Sequence, residues 1–442
     1  MLGIRDLVPF LFLIYLFSDS VLRRKPNYMA LIIFGYLLGF FRRFLPNDSI
    51  FTNTGLNFDP LLLVIPISLL LNFSFSKFSS LNSKLLDQSL KALILISTLE
   101  IFNFRQGSIL VGVTGWLAYV CPILFVFMGA SISKMEFEKI LQTLKIIGLV
   151  VCIYGLSQVV FGYSQWDQKW FDLMTSSGDY SVLAFGTNRP FGTFSSIGEY
   201  AQAIGIAAGI VTYQYMNAQL KFLTFIFYIS FFLLSATLTA SRSALIFVFL
   251  VAFSPLVIAA RIHFNAKFIF TRVLPLIFSS TLLLPIIFQF IPQNIFGNAA
   301  SLISRQAVGV SGNNSGVTPA SVHITQTLDA FKESFSSIFG FGVGSISGAQ
   351  KLNGLTRTNF ESDIGNAAYA FGILGFIVMI AIFIGMYSAL SSQKSGYSIL
   401  LVFILLVSFN NWFNPGHYAT EWVVWLLVGV MLNHREAIKS ER

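Results

Sequence analysis

The chain reads as an all-α polytopic membrane protein with about 12–14 transmembrane helices and one long extramembrane loop that contains short helices. Three observations predict this. Of 442 residues, 55% are hydrophobic and only 11% are charged, with a mean hydropathy of +0.74. A soluble domain of this size could not hide so much apolar surface. Runs of about 20 residues with almost no charge recur from end to end, long enough to span or nearly span a hydrocarbon core. Ten-residue segments of alternating polarity, the mark of an outer-membrane barrel, are absent from the sequence.

The first apolar run, 7–22, has no basic region before it and no small-residue cleavage site after it. It is expected to be a retained helix rather than a signal peptide. Further runs follow at 28–41, 60–75, 88–103, 109–130, 144–162, 191–213, 221–238, 243–260, 273–291, 366–390, 396–412 and 420–433, thirteen in all. Alternate connections carry Arg23, Arg24, Lys25, Lys77, Lys84, Lys91 and further cations through Arg442, 17 of the 28 Lys and Arg residues. The positive-inside rule makes that side cytoplasmic, with the C-terminus inside and the N-terminus outside. Arg42 and Arg43 fall on the wrong side for the rule. The net charge of +9 is thus an orientation signal, and nucleic acid is not an expected partner.

The polar residues of interest gather on the outer side. They lie in the 163–189 loop, around Arg242, in the long 291–365 loop and in the 410–421 turn. The long loop exceeds ordinary connections. Within it, Thr318-Pro319 suits an N-cap and first helical position. Ile324, Leu328, Phe331 and Phe335 then recur at helical spacing. This predicts an outer amphipathic helix from about Pro319 to Phe335, followed by a glycine-rich break at Gly340–Gly344. That cluster lacks the Lys-Ser/Thr of a nucleotide loop and reads as a turn permitting close backbone approach. Cys121 and Cys152 lie in apolar runs and read as buried small hydrophobes.

Asn188-Arg189-Pro190-Phe191-Gly192-Thr193-Phe194 is the most informative stretch. It sets an arginine at a membrane boundary amid a proline, aromatics and a glycine. Ser241-Arg242-Ser243 opens another apolar run on the same predicted side. Guanidinium forks suit phosphate oxygens, so the two cations could seat a lipid diphosphate. The plainer reading is that both snorkel to lipid phosphates or cap helices.

His323 falls in the first turns of the predicted outer helix, where the positive helix end favours a neutral imidazole. Such a ring could serve as general base, or be a surface histidine without a role. His417, in Asn414-Pro415-Gly416-His417-Tyr418, is a second outer candidate. Glu199 lies about 10 Å below the outer surface if its helix starts at Gly192, and Glu100 also reads as intramembrane. Glu199 could act at the site or simply pair with an arginine. Glu361 and Asp363 could hold a divalent cation or favour a helix N-terminus. No H-E-x-x-H, G-x-S-x-G or kinase set is present, and neither a metal nor a cofactor is expected.

Taken together, Arg189-Pro-Phe-Gly-Thr-Phe, Thr239-Ala-Ser-Arg242-Ser, Phe341-Gly-Val-Gly-Ser, Glu361-Ser and Gly372-Ile-Leu-Gly resemble, in order and spacing, the O-antigen ligase/O-antigen polymerase superfamily over about residues 185–390. The resemblance implies a metal-independent glycosyltransferase of the GT-C type in the bacterial inner membrane, built as one integral domain over 1–442. Its long loop and active site would face the periplasm. The implied partners are a glycan donor on polyprenyl (undecaprenyl) diphosphate, a glycan acceptor and the lipid bilayer, with a chain-length regulator as a further partner. Arg189 and Arg242 would match the arginines that hold the diphosphate. His323 would fall where the ligase branch has a functional histidine, although many relatives carry arginine nearby.

Two reactions compete within that superfamily: joining repeat units of O-antigen or exopolysaccharide, and ligating finished glycan to lipid A–core. The continuation through Ser195-Ser196-Ile197-Gly198-Glu199-Tyr200 favours polymerisation. His323 or Glu361 would take the proton from an acceptor hydroxyl, and the displacement would invert the anomeric carbon. The competing class is a secondary transporter or lipid-linked glycan flippase, for which broken helices and midplane polar sites in symmetric halves would be expected.

Overall fold

The computed structural model describes residues 3–45, 59–73, 81, 83–176, 183–184, 187–241, 245, 248–249, 299, 301–302, 319–335, 338–347, 350, 363–391 and 418–433. The described residues are almost entirely helical. Three helical stretches, Ile109–Gly129, Lys134–Val160 and Gly365–Ala389, are long and apolar enough to cross a membrane. This is the architecture of an α-helical membrane protein. The apolar runs 243–260, 273–291 and 396–412 lie outside the described residues, apart from three isolated positions near 245.

The chain forms two compact units. The first comprises Met1–Leu31, Leu45–Glu138 and Gly316–Arg442, and the second Ile32–Phe44 and Lys139–Ser315. In chain order the helices are α1 (Ile4–Arg23), α2 (Tyr28–Phe44), α3 (Val64–Phe73), α4 (Lys84–Leu99), α5 (Ile109–Tyr119), α6 (Cys121–Gly129), α7 (Lys134–Val160), α8 (Gln165–Ser176), α9 (Ile197–Met216), α10 (Phe222–Leu238), α11 (Pro319–Phe335), α12 (Asp363–Ser391) and α13 (Tyr418–Asn433). A two-residue antiparallel ladder pairs β1 (Leu183–Ala184) with β2 (Thr187–Asn188).

In the first unit, α6 and α13 form the core. Every residue of α6 and all of 419–432 in α13 are buried, as expected of helices that are apolar all round. Phe125 packs on Trp422 with ring centroids 4.9 Å apart. Gly129 of α6 faces the Leu426 carbonyl, and Gly429 of α13 faces the Val126 carbonyl. The helices meet backbone to backbone, the arrangement that small residues permit in membranes. Near the N-terminus, Arg5 pairs with Asp59 at 2.7 Å, and Asp59 also caps the 3-10 turn at Pro60–Leu63 through Leu61 N–H at 3.2 Å.

α12 breaks at Gly372, whose φ of 65° and ψ of −158° are open essentially to glycine alone. The break frees carbonyls of the preceding turn. Phe341 N–H donates to Tyr369 O at 2.9 Å and Gly342 N–H to Ala370 O at 3.0 Å. The glycines of 340–344 make this fit. A Cβ on Gly340 would run into the Ala370 backbone, one on Gly344 would meet Val111 O, and Gly342 has φ +87°. Buried Gln106 braces the clasp by accepting from Gly344 N–H at 3.0 Å, and Tyr119 donates to Ile346 O at 3.0 Å. The glycine cluster therefore serves close approach to the chain's own helices. Gly372→Ala is expected to cost about 1–3 kcal/mol and to loosen this clasp. Thermal unfolding in detergent, with proteolysis near residue 341, checks it; an unchanged melt and cleavage pattern would count against the account.

The second unit is built around α9, buried from Ile197 to Gln214 except at Gly198. α10 packs along it, with Tyr215 stacked on Phe225 at 4.4 Å. Gly148 of α7 admits Ala207, and Gly155 admits the Tyr200 hydroxyl end. At the far end, Lys145 donates to Gln214 Oε1 at 2.9 Å. Within 163–189, residues Gln165–Ser176 form α8 rather than a plain polar loop, and its Trp166 and Trp170 anchor it.

Candidate functional site

The Arg189–Ser195 stretch is not the start of a helix. It is a turn, and α9 begins only at Ile197, after Ser196 caps it by accepting from Glu199 N–H at 3.1 Å. Glu199 thus sits in the first turn, where its carboxylate accepts from Ser195 N–H at 3.1 Å. This corrects the expectation of an acid deep in the span. An N-capping serine with glutamate three residues on favours a helix start there, and the dipole favours the acid.

The turn is gripped on every side within its unit. Gly192, at φ +57°, lets it pass close to the Tyr200 ring. Gln158, from the last turns of α7, accepts from Phe191 N–H at 3.1 Å and Gly192 N–H at 2.9 Å through one oxygen. Thr193 donates to Tyr36 O at 2.5 Å, and Gly39 of α2 leaves room for the Phe194–Ser195 backbone.

The end of α2 supplies the strongest hold. Arg43 donates through Nη2 to Gly192 O at 2.9 Å and through Nη1 to Phe194 O. Its Nε pairs with Asp167 Oδ1 of α8 at 2.9 Å, with both side chains almost wholly buried, at 0% and 1% exposure. The guanidinium lies 4.7 Å from the Phe191 ring centroid. Tyr154 donates to Asp167 Oδ2 at 2.8 Å and accepts from Trp166 Nε1 at 3.0 Å. Burial lowers the Arg43 pKa, while Asp167 and Tyr154 oppose that shift. Arg42, next in sequence, donates to Ser195 Oγ at 3.0 Å and lies over Trp170 at 4.8 Å. Trp170 itself donates to Ser195 O at 3.2 Å.

Arg189 is held at both its main chain and its side chain. Tyr163 donates to Arg189 O at 2.5 Å, and its ring packs on Phe191 at 5.1 Å. Burial and the nearby Asp167 carboxylate raise the Tyr163 pKa, against the opposing pull of Arg43 and Arg189, so the hydroxyl remains a donor. Arg189 Nε donates to Thr239 O at 2.7 Å, at the C-terminal end of α10. Thr239 precedes Arg242 by three residues in sequence. The structure therefore brings Arg189 to the segment that leads into Arg242, which itself lies outside the described residues, as do Glu361 and His417. His323 lies on the backbone of α11, in the first unit. Glu100, also in the first unit, ends α4 in a 3-10 turn and accepts from Asn103 at 2.5 Å, while Asn103 also donates to Gly340 O at 2.8 Å. Among the described residues no group of three or more His, Cys, Asp or Glu is placed to hold a metal ion.

Sequence reasoning did not include Arg42, Arg43, Gln158 or Asp167 in this site. The signal was present in the two arginines on the wrong side of the charge rule. They bind the turn, with Arg43 neutralised by Asp167.

Fold and composition define the class: an α-helical membrane protein whose Arg189-bearing turn is held by two arginines of α2. Compared with known proteins, the chain matches no family model and no curated protein.

Proposed function

We propose that this protein is an inverting membrane glycosyltransferase that polymerises polyprenyl-diphosphate-linked oligosaccharide repeat units at the periplasmic face of a bacterial inner membrane. The observation that carries this reading is the bond from Arg189 to Thr239 O at 2.7 Å, made from a turn that Arg43, Gln158 and Tyr163 hold rigid. A permanently charged fork is thereby preset beside the approach to Arg242. A preorganised cation pair would stabilise a departing lipid diphosphate without reorganisation. His323 or Glu361 would take the proton from the acceptor hydroxyl, whose oxygen displaces the diphosphate at the anomeric carbon. Ligation to lipid A–core would use the same seat with a different acceptor, and a chain-length regulator would act on the polymer.

Side-pairing also favours the reading. Arg43 with Gly192, Arg189 with Thr239, and Asn103 with Gly340 each join segments that charge alternation assigns to the outer face. Lys25 with Glu136 at 2.6 Å and Lys145 with Gln214 at 2.9 Å join segments assigned to the inner face. The break in α12 would suit a transporter, whose unwound carbonyls coordinate ions. Here Phe341 and Gly342 N–H groups occupy two of those carbonyls, which weakens that alternative.

The test is chain lengthening in detergent with purified lipid-linked repeat unit and no sealed vesicle. Arg189→Ala and Arg242→Ala are each expected to lower the rate by about a hundredfold or more at normal expression. Lysine at either position should not restore it, lacking the planar fork. Near-normal synthesis by both alanine variants would sink the diphosphate seat. Activity confined to sealed vesicles would point to transport instead.

A further inference from the structure

α11 is not covered on all its apolar surface. Its buried side, Ala330 and Ser334, faces the unit, and Phe331 and Phe335 pack on Phe376 of α12 at 5.0 and 6.4 Å. Leu328 and Phe335 are nonetheless more than half exposed, as are Ile338 and Phe339 just beyond the helix. The exposed polar residues Thr325, Asp329, Lys332 and Glu333 occupy a different arc. At 3.6 residues per turn they fall within about 100° of one another, while Leu328 and Phe335 lie about 20° apart on the shoulder between that arc and the packed side.

The neighbouring surface says what meets this shoulder. Ile377, Ile380, Ile384 and Tyr387 form an exposed stripe at helical spacing on α12. They lie on a stretch, Gly365–Ala389, that is long and apolar enough to cross a membrane. Phe376, which carries the α11 rings, adjoins the first of them. An exposed apolar stripe on a spanning helix faces acyl chains, and Phe335 of the α11 shoulder meets that helix at Phe376, next in sequence to the first stripe residue.

We infer that α11 lies in the outer head-group layer, with Leu328 and Phe335 inserted among acyl chains and Asp329, Lys332 and Glu333 toward water. Interfacial helices of this kind sink their apolar side about 5–10 Å below the head groups. The long loop is then partly a membrane-surface element. This placement stands independently of the glycosyltransferase reading.

Spin labels on the full-length chain in phospholipid nanodiscs test it. Cys121 and Cys152 are buried, so background labelling is low. Leu328→Cys and Phe335→Cys are compared with Asp329→Cys and Glu333→Cys for collision with oxygen, which concentrates in lipid, and with a water-soluble nickel chelate. The oxygen-to-nickel ratio is expected to be at least about threefold higher at 328 and 335 than at 329 and 333. Equal ratios would overturn the inference. So would labels at 328 and 335 shielded from both reagents, which would mean a protein partner covers the shoulder. If Phe335→Cys does not fold, Phe339→Cys carries the same comparison.

Discussion

Arg43→Ala is expected to destabilise the protein by about 3–5 kcal/mol and, on the polymerase function proposed above, to abolish chain lengthening. The change strands the Asp167 carboxylate, 1% exposed, without its cation. It also leaves the carbonyls of Gly192 and Phe194 without their guanidinium donor. The turn that aims Arg189 would lose its hold from the α2 side. Arg43→Lys should recover only part of this, because one ammonium cannot serve two carbonyls and a carboxylate in the geometry of a planar fork. Adding Asp167→Asn to Arg43→Ala should restore some stability, since no buried charge is then orphaned, while leaving the rate low. Thermal unfolding of the four proteins in detergent, beside the lengthening assay, separates the two effects. If Arg43→Ala melted and worked like the parent, the grip described for this turn would be wrong.

The second large effect is expected at the crossing of α6 and α13. Gly129 and Gly429 each face a carbonyl of the opposite helix, Leu426 O and Val126 O. A side chain at either position meets backbone, which cannot swing aside as a flexible side chain would. Gly129→Val or Gly429→Val should force the helices apart, unseat Phe125 from Trp422, and cost about 3 kcal/mol or more. Both variants act on one contact, so their effects should be less than additive. The readout is yield of monodisperse protein on size exclusion, with melting temperature as the second measure. Normal yield and melt for Gly429→Val would mean the helices are not packed this closely.

Much of this was legible in the chain itself. The Pro319–Phe335 helix emerged with the bounds its N-cap, proline and apolar spacing predicted. The runs at 109–130, 144–162 and 366–390 appear as helices long enough to span, although α7 starts earlier, at Lys134, and α12 is interrupted at Gly372. Hydropathy does not register these details. A charged first turn still propagates a helix, and a glycine break leaves mean hydropathy unchanged. The 191–213 run misplaced the start of α9 for the same reason. Phe191, Phe194 and Ile197 read as membrane-apolar, but they are buried against the protein in and beside a turn.

The sequence by itself determined the class of protein and the approximate position of most apolar helices that the structure describes, and it marked out the Arg189-Pro-Phe-Gly stretch, because hydropathy, capping and charge bias act over neighbouring residues. Only the tertiary structure decided that Arg43 and Asp167 are partners, that Gln158 accepts from the N–H groups of Phe191 and Gly192, that Glu199 binds the Ser195 N–H from the first turn of α9, and that the 340–344 glycines close over a broken helix. Those outcomes depend on which distant segments come together. A buried guanidinium is stable only where a carboxylate and free carbonyls converge on it, and that convergence is a property of packing that no local pattern records.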